Sequence, residues 1–100
     1  MKKIVLICNL GMSTSLLVTN MKKAAADRGV DVDINAYAIG EASTKGADAD
    51  VILLGPQIRF QLAKVKAIFP DKPVDVIDMK AYGTVDGKKA LDEALKLIGE

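Results

Sequence analysis

Continuous apolar runs and alternating stretches follow one another along this chain. Residues 3–8 read K-I-V-L-I-C, a run typical of a strand covered on both faces in a parallel sheet. A second such run, V-I-L-L, follows Asp50 and ends at Gly55. Residues 30–37 instead alternate between apolar and polar, which indicates a half-exposed strand near a sheet edge. A further apolar run at residues 73–77 predicts a fourth strand.

Helical periodicity fills the segments between these strands. Ser13 or Thr14 can cap a helix that ends at Gly29. Its predicted inner face consists of Leu16, Leu17, Met21, Ala24 and Ala25. A short helix is expected over residues 41–46. A longer helix is predicted to begin at Pro56 and to end at Pro70. Its inner stripe consists of Ile58, Leu62, Val65 and Ile68 or Phe69. Residues 78–87 read as a loop with at most a short turn, and a final helix carries Ala90, Leu91, Ala94, Leu95 and Ile98.

Strands that alternate with helices predict an α/β fold. The expected architecture is a three-layer sandwich, in which a four-stranded parallel sheet of order 2-1-3-4 has helices on both faces. One hundred residues are enough for one compact domain, so residues 1–100 are predicted to form a single domain. Ligands of such sheets bind beyond the carboxyl ends of the strands where the order reverses. Here that crevice lies beside Cys8 and Gly55.

Composition excludes several classes of function. Fourteen Lys and Arg against thirteen Asp and Glu give a net charge of +1 without a long basic block, so no nucleic-acid partner is expected. The apolar runs are too short to cross a bilayer and no signal peptide is evident, so we expect a cytoplasmic protein without membrane insertion. One Cys and no His exclude an internal disulfide, a Cys-His dyad and a His-ligated metal, and no metal site is predicted.

The candidate chemistry lies in the loop after the first strand. Cys8 is followed by N-L-G-M-S-T-S, which leads into the amino end of a helix. Converging backbone amides and the helix dipole would stabilise both a thiolate and the oxygens of an attached phosphoryl group. We therefore predict Cys8 as the nucleophile, although a lone Cys at a strand end is also a common buried apolar residue. The predicted phosphate-binding residues are Asn9, Leu10, Gly11, Met12, Ser13, Thr14 and Ser15.

Two other functions use a comparable loop. Low-molecular-weight tyrosine phosphatases place Arg at the sixth position after their Cys, where it grips the phosphate bidentately. Thr14 occupies that position here, which favours a thiophosphate that is formed but poorly hydrolysed. A flavodoxin-like module could hold the phosphate of FMN in a hydroxyl-rich loop, but it needs flanking aromatic rings. The chain has no Trp and only two Tyr and two Phe.

Four motifs together resemble the IIB proteins of the lactose/chitobiose phosphotransferase family, and they span essentially the whole chain. They are C-N-L-G-M-S-T-S-L-L-V, A-D-V-I-L-L-G-P-Q-I, K-P-V-D-V-I-D and Y-G-T-V-D-G. The sequence G-M-S-T-S after the Cys is similar to the cellobiose/chitobiose branch. Asn9 stands where a small Ser or Ala is usual.

The resemblance implies a phosphoryl relay. A phosphohistidine on a IIA protein would phosphorylate Cys8, which would then phosphorylate a cellobiose- or chitobiose-like sugar bound by the membrane-embedded IIC permease. Cys8 matches the family's phosphocysteine, and residues 9–15 match its phosphate-binding loop. No cofactor is implied beyond the covalent phosphate.

Other residues near the predicted crevice have two readings each. Gln57 can bond a phosphate oxygen or serve as a surface amide at a helix start. Tyr82 can border a docking surface or simply pack against a loop. Asp78 is favoured as a cap of the following turn over a catalytic acid. Leu10 and Met12 are expected to form an apolar partner-binding rim, with inward packing as the alternative.

Overall fold

The sheet has the predicted strand order. The structure, a computed structural model, describes residues 2–8 and 12–99, with the side chains of residues 12 and 13 left out. Its parallel strands lie in the order β2-β1-β3-β4, which confirms the predicted topology. The strands are β1 (Lys2–Cys8), β2 (Val32–Ala38), β3 (Val51–Leu54) and β4 (Val74–Val76).

Helices cover both faces of this sheet, as predicted. Leu17, Tyr82 and Leu91 bring three helices, α1, α4 and α5, into one apolar cluster, while Ala42 and Val65 bring α2 and α3 into the other. Two 3₁₀ turns, Ile39–Glu41 and Pro56–Gln61, precede α2 and α3. The helices are α1 (Met12–Arg28), α2 (Ala42–Lys45), α3 (Leu62–Ile68), α4 (Met79–Gly83) and α5 (Gly87–Ile98).

The two central strands are buried on both sides. Residues 4–7 of β1 and residues 51–54 of β3 are all 0% exposed, and alternate side chains enter opposite clusters. Each such side chain contributes about 1.5–3 kcal/mol of burial free energy, which explains the continuous apolar runs. In the edge strand β2, only Ile34 is buried, as its alternating pattern predicts.

The buried face of α1 differs from the prediction at one residue. Leu17, Met21 and Ala25 are buried, but Leu16 is 50% exposed. Successive helical residues are turned by about 100°, so a face centred on Leu17 directs its neighbour Leu16 toward solvent. The prediction that Leu16 lies on the inner face was wrong.

The helix expected to start at Pro56 is interrupted. The Ile58 backbone, at φ −116° and ψ 26°, departs from helical values, and α3 begins only at Leu62. The Ile58 N–H donates to the Gly55 carbonyl at 3.0 Å, which makes a tight 3₁₀ turn instead of an α-helical one. The kink directs the Ile58 side chain into the apolar cluster that contains Ala42 and Val65.

A helix, α4, occupies part of the segment expected to be a loop. The Asp78 carboxylate accepts a hydrogen bond from the Ala81 N–H at 2.9 Å, which caps α4 and confirms the capping role predicted for Asp78. Val85 then has a left-handed φ of 47°. Asp86 caps α5 by accepting from the Lys89 N–H at 3.1 Å.

The amino end of α5 lies directly against α1. The Asn20 side-chain amide donates to the Val85 carbonyl at 2.8 Å. A Cβ atom placed on Gly87 would lie 2.2 Å from the Asn20 carbonyl carbon and 2.4 Å from the Met21 nitrogen. Only glycine allows the two backbones to come this close.

We therefore expect Gly87→Ala to lower the free energy of unfolding by about 3 kcal/mol, because α5 must move away from α1. Urea denaturation measures this change. Gly83→Ala is the matched control, because nothing lies within 4 Å of the added Cβ; it should change the stability by no more than about 1 kcal/mol. Equal effects of the two substitutions would contradict the close contact.

Candidate functional site

Cys8 is the last residue of β1 and lies where the strand order reverses. It is 2% exposed. A Cβ atom on Gly55 would lie 3.2 Å from the Cys8 Cβ, and the Gly55 N–H donates to the Ile7 carbonyl at 2.8 Å. The structure thus brings Cys8 and Gly55 together at the carboxyl edge of the sheet, as the topology predicts.

The amino end of α1 comes four residues after Cys8 in the chain. This helix has 17 residues and starts at Met12, so its first amides have no partner within the helix and favour an anion. Ser13 and Thr14 therefore lie inside the first turn, and the prediction that one of them is the cap was wrong. Ser15 is exposed. The predicted phosphate-binding residues Asn9, Leu10 and Gly11 lie outside the described residues, as do the side chains of Met12 and Ser13.

Thr14 has a buried hydrogen-bond partner far along the chain. The Thr14 residue is 1% exposed, and its Oγ1 lies 2.6 Å from the Oη of Tyr82 in α4. Tyr82 is itself only 7% exposed. This bond ties the first turn of α1 to the segment that follows β4.

Gln57 joins the same group from the segment that follows β3. Its Nε2 donates to the Tyr82 Oη at 2.9 Å. A Cβ atom on Gly55 would lie 2.7 Å from the Gln57 Oε1, so the missing side chain of Gly55 leaves the space that this amide fills. Three residues that the sequence singled out separately are therefore one connected group.

A carboxylate group supports the helix that holds Tyr82. The hydrogen bond from the Ala81 N–H lowers the pKa of Asp78. The positive charge of the Lys89 Nζ, 3.5 Å from the Asp78 Oδ2, lowers it further. Glu93 of α5 accepts a hydrogen bond from the Asp78 N–H at 3.3 Å, and burial raises the pKa of Glu93. Asp78 thus has the role of fixing α4.

Three exposed apolar side chains were missed from the sequence. Phe60, in the turn after β3, is 75% exposed, Met79, at the start of α4, is 61% exposed, and Leu16, in α1, is 50% exposed. Met79 lines a cavity of about 320 Å³ with Gln57 and Tyr82. For Met79, the available signal was a large apolar residue soon after the end of β4. The rim predicted at Leu10 and Met12 concerns side chains outside those described.

None of the helices described within residues 2–8 and 12–99 has the length and apolar character that a bilayer span requires.

The sequence profile of the family described as "PTS system, Lactose/Cellobiose specific IIB subunit" matches residues 3–93. The chain belongs to this family. It is therefore a IIB component of a lactose/cellobiose-type sugar phosphotransferase system, which confirms the resemblance noted in the sequence.

Relatives of this IIB chain cover nearly its whole length. It is 46% identical to the oligo-beta-mannoside-specific EIIB component of Bacillus subtilis (strain 168), over 98% of this chain and 97% of the relative. It is 45% identical to the cellobiose-specific EIIB component of Lactococcus lactis subsp. lactis, over 97% and 96% respectively. The solution structure of a cellobiose-specific IIB component from Borrelia burgdorferi superposes with a TM-score of 0.82 at 35% identity, over 98% of this chain and 92% of that one.

Asp78 makes the stability of this IIB chain pH-dependent. Because its folded-state pKa is lowered, its contribution is present above the unfolded-state pKa and is lost as the pH falls through the folded-state value. We expect Asp78→Asn, which keeps a capping oxygen but removes the charge, to destabilise the protein more at pH 7 than at pH 3. Urea denaturation at the two pH values measures this. An equal loss at both would contradict a charge-dependent cap.

Proposed function

We propose that Cys8 is the phosphoryl carrier of this IIB component. It accepts the group from a phosphohistidine of a IIA protein and passes it to a sugar bound by a IIC permease. The observation that carries the proposal is the position of the chain's single cysteine, at the switch point of the sheet and just before the amino end of α1. The chain has no His to carry the group itself.

The proposed relay consists of two displacements at phosphorus. In the first, the Cys8 thiolate attacks, the P–S bond forms, the P–N bond breaks and its electron pair stays on the imidazole nitrogen. In the second, a sugar hydroxyl attacks, the P–O bond forms, the P–S bond breaks and the thiolate is regenerated, while the hydroxyl proton passes to a base or to water. The amides of residues 9–15 are proposed to neutralise the phosphoryl oxygens in both steps. No cofactor takes part besides the covalent phosphate.

A carrier must hold its phosphoryl group without losing it to water. Thr14, which stands where a low-molecular-weight phosphatase has Arg, is buried and hydrogen-bonded to Tyr82. We therefore favour phosphoryl storage over the alternatives of hydrolysis and of FMN binding by a flavodoxin-like module.

The proposed sugar is a cellobiose- or chitobiose-like disaccharide. Two relatives at 46% and 45% identity are named for oligo-beta-mannosides and for cellobiose, and a third at 44% is named for galactose, so two of the three names support an oligosaccharide substrate. Because IIC would bind the sugar, the proposal places the IIB chain in the cytoplasm, at the inner face of the membrane but not inserted in it.

The carboxyl edge is the proposed docking surface for both partners. Phosphoryl transfer requires each partner to reach Cys8. Met79 exposes apolar surface beside Gln57 and Tyr82, and Phe60 exposes a ring in the turn that follows β3. Apolar side chains exposed around a site of this kind are typical of protein interfaces. Successive use of one surface would keep IIA and IIC from binding together.

Phosphorylation of Cys8 is directly measurable. The protein is incubated with phosphoenolpyruvate, the general phosphotransferase proteins and a cognate IIA protein, and intact-mass spectrometry then counts the phosphoryl groups added. We expect one group, mapped to Cys8, and none on Cys8→Ser, whose hydroxyl stays protonated at neutral pH and is a poor nucleophile.

A second assay uses purified phospho-IIA as the donor, with and without EDTA, and so tests whether the transfer step itself needs a metal. Transfer should be unaffected by the chelator. A phosphoryl group on another residue, or sustained turnover of an aryl phosphate, would contradict the carrier role.

The docking surface is tested by Phe60→Ala and Met79→Ala. Both side chains are largely exposed, so stability should change by about 0.5 kcal/mol or less, whereas transfer from phospho-IIA should slow by about tenfold. Rapid-quench measurement gives the rate.

Ile68→Ala is the matched control. Ile68 is an exposed apolar residue at the end of α3, and the chain runs from there to the start of β4, at the opposite edge of the sheet. An equal slowing by Ile68→Ala, or no slowing by the other two, would contradict the assigned surface.

A further inference from the structure

A chain of two hydrogen bonds connects Gln57, Tyr82 and Thr14, and its direction can be worked out from the donors. The Gln57 Nε2 is an amide nitrogen and can only donate, so the Tyr82 oxygen accepts. The second bond, at 2.6 Å, joins two hydroxyls, either of which could donate.

We assign Tyr82 as the donor in the second bond for two reasons. A phenol is a much stronger acid than an aliphatic alcohol and is therefore the better donor. In addition, a hydroxyl that accepts a hydrogen bond becomes a stronger donor itself. The direction is thus from Gln57 to Tyr82 and from Tyr82 to Thr14.

This direction determines what the Thr14 hydroxyl can do. Its oxygen accepts the Tyr82 proton, so its own proton is left to donate to another group. Thr14 lies in the first turn of α1, next to the amides that favour an anion. A phosphoryl group on Cys8 is the anion that the proposed function places there.

We infer that Gln57 and Tyr82 are positioning residues that orient the Thr14 hydroxyl as a donor to the phosphoryl group on Cys8. The inference rests on the proposed function and extends it to residues on two other segments. Gly55 takes part sterically, because its missing Cβ leaves room for the Gln57 Oε1 and so lets Nε2 reach Tyr82.

The test is a double-mutant cycle on the extent of phosphorylation. Thr14→Val removes the donor, and we expect it to shift the equilibrium between phospho-IIA and phospho-Cys8 about tenfold toward IIA, because a hydrogen bond to a charged group is lost. Tyr82→Phe should shift it about threefold in the native background and leave it unchanged in the Thr14→Val background. Thr14→Ser, which keeps the hydroxyl, should restore most of the native value.

A second readout distinguishes positioning from general support of the fold. The ³¹P chemical shift of phosphocysteine reports the hydrogen bonds of the phosphoryl oxygens. It should move in the same direction in Thr14→Val, Tyr82→Phe and Gln57→Met, and should not move in Tyr37→Phe. This matched control makes the same chemical change in a residue that packs against the other apolar cluster. All variants are compared well below their denaturation midpoints.

The outcomes distinguish failure of the positioning role from failure of the proposed function. If native protein takes no phosphoryl group on Cys8, the proposed function fails. If native protein is phosphorylated but Tyr82→Phe matches it, or adds a full effect in the Thr14→Val background, the positioning role alone is overturned.

Discussion

The parallel pairing of β1 with β3 is the contact on which the rest of the molecule depends. Residues Ile4 to Ile7 align with Val51 to Leu54, and none of these side chains is exposed. Their burial on both faces requires helices above and below, and right-handed connections then bring β2 and β4 to the outside. The same alignment makes both strands end at one level, so Cys8 meets Gly55. The geometry of the site follows from the packing of the core.

The segment after β4 contributes Tyr82, which links Thr14 and Gln57 at this edge of the sheet. Asp78 caps α4, which places the Tyr82 hydroxyl within hydrogen-bond distance of Thr14 and Gln57. After a left-handed residue, the chain then enters α5 at Gly87, pressed against α1. The motif Y-G-T-V-D-G thus combines a polar contact to the site with the steric requirement of a helix junction.

Patterns that involve only neighbouring residues were predictable from the sequence, and contacts across the chain were not. The continuous apolar runs gave the central strands, and the topology followed from the alternation of strands and helices. Cys8 and Thr14 were predicted as site residues from a loop pattern. The bond between Thr14 and Tyr82 spans 68 positions, and no local pattern encodes it.

The short helix expected over residues 41–46 is present as α2, but α4 and the kink before α3 were not predicted. The five-residue helix α4 is too short to show a periodic pattern of apolar residues, and the capping residue Asp78 was the sequence signal for it. The kink at Ile58 depends on packing against the sheet and leaves no mark on the apolar stripe.

The bond from Thr14 to Tyr82 also has a consequence during synthesis. A ribosome makes Thr14 early, but Tyr82 emerges only after most of the chain has been translated. A product truncated before Tyr82 would lack the buried hydrogen-bond partner of Thr14. It would also lack α5, so α1 would lose both its polar contact with Tyr82 and its apolar contacts with the last helix.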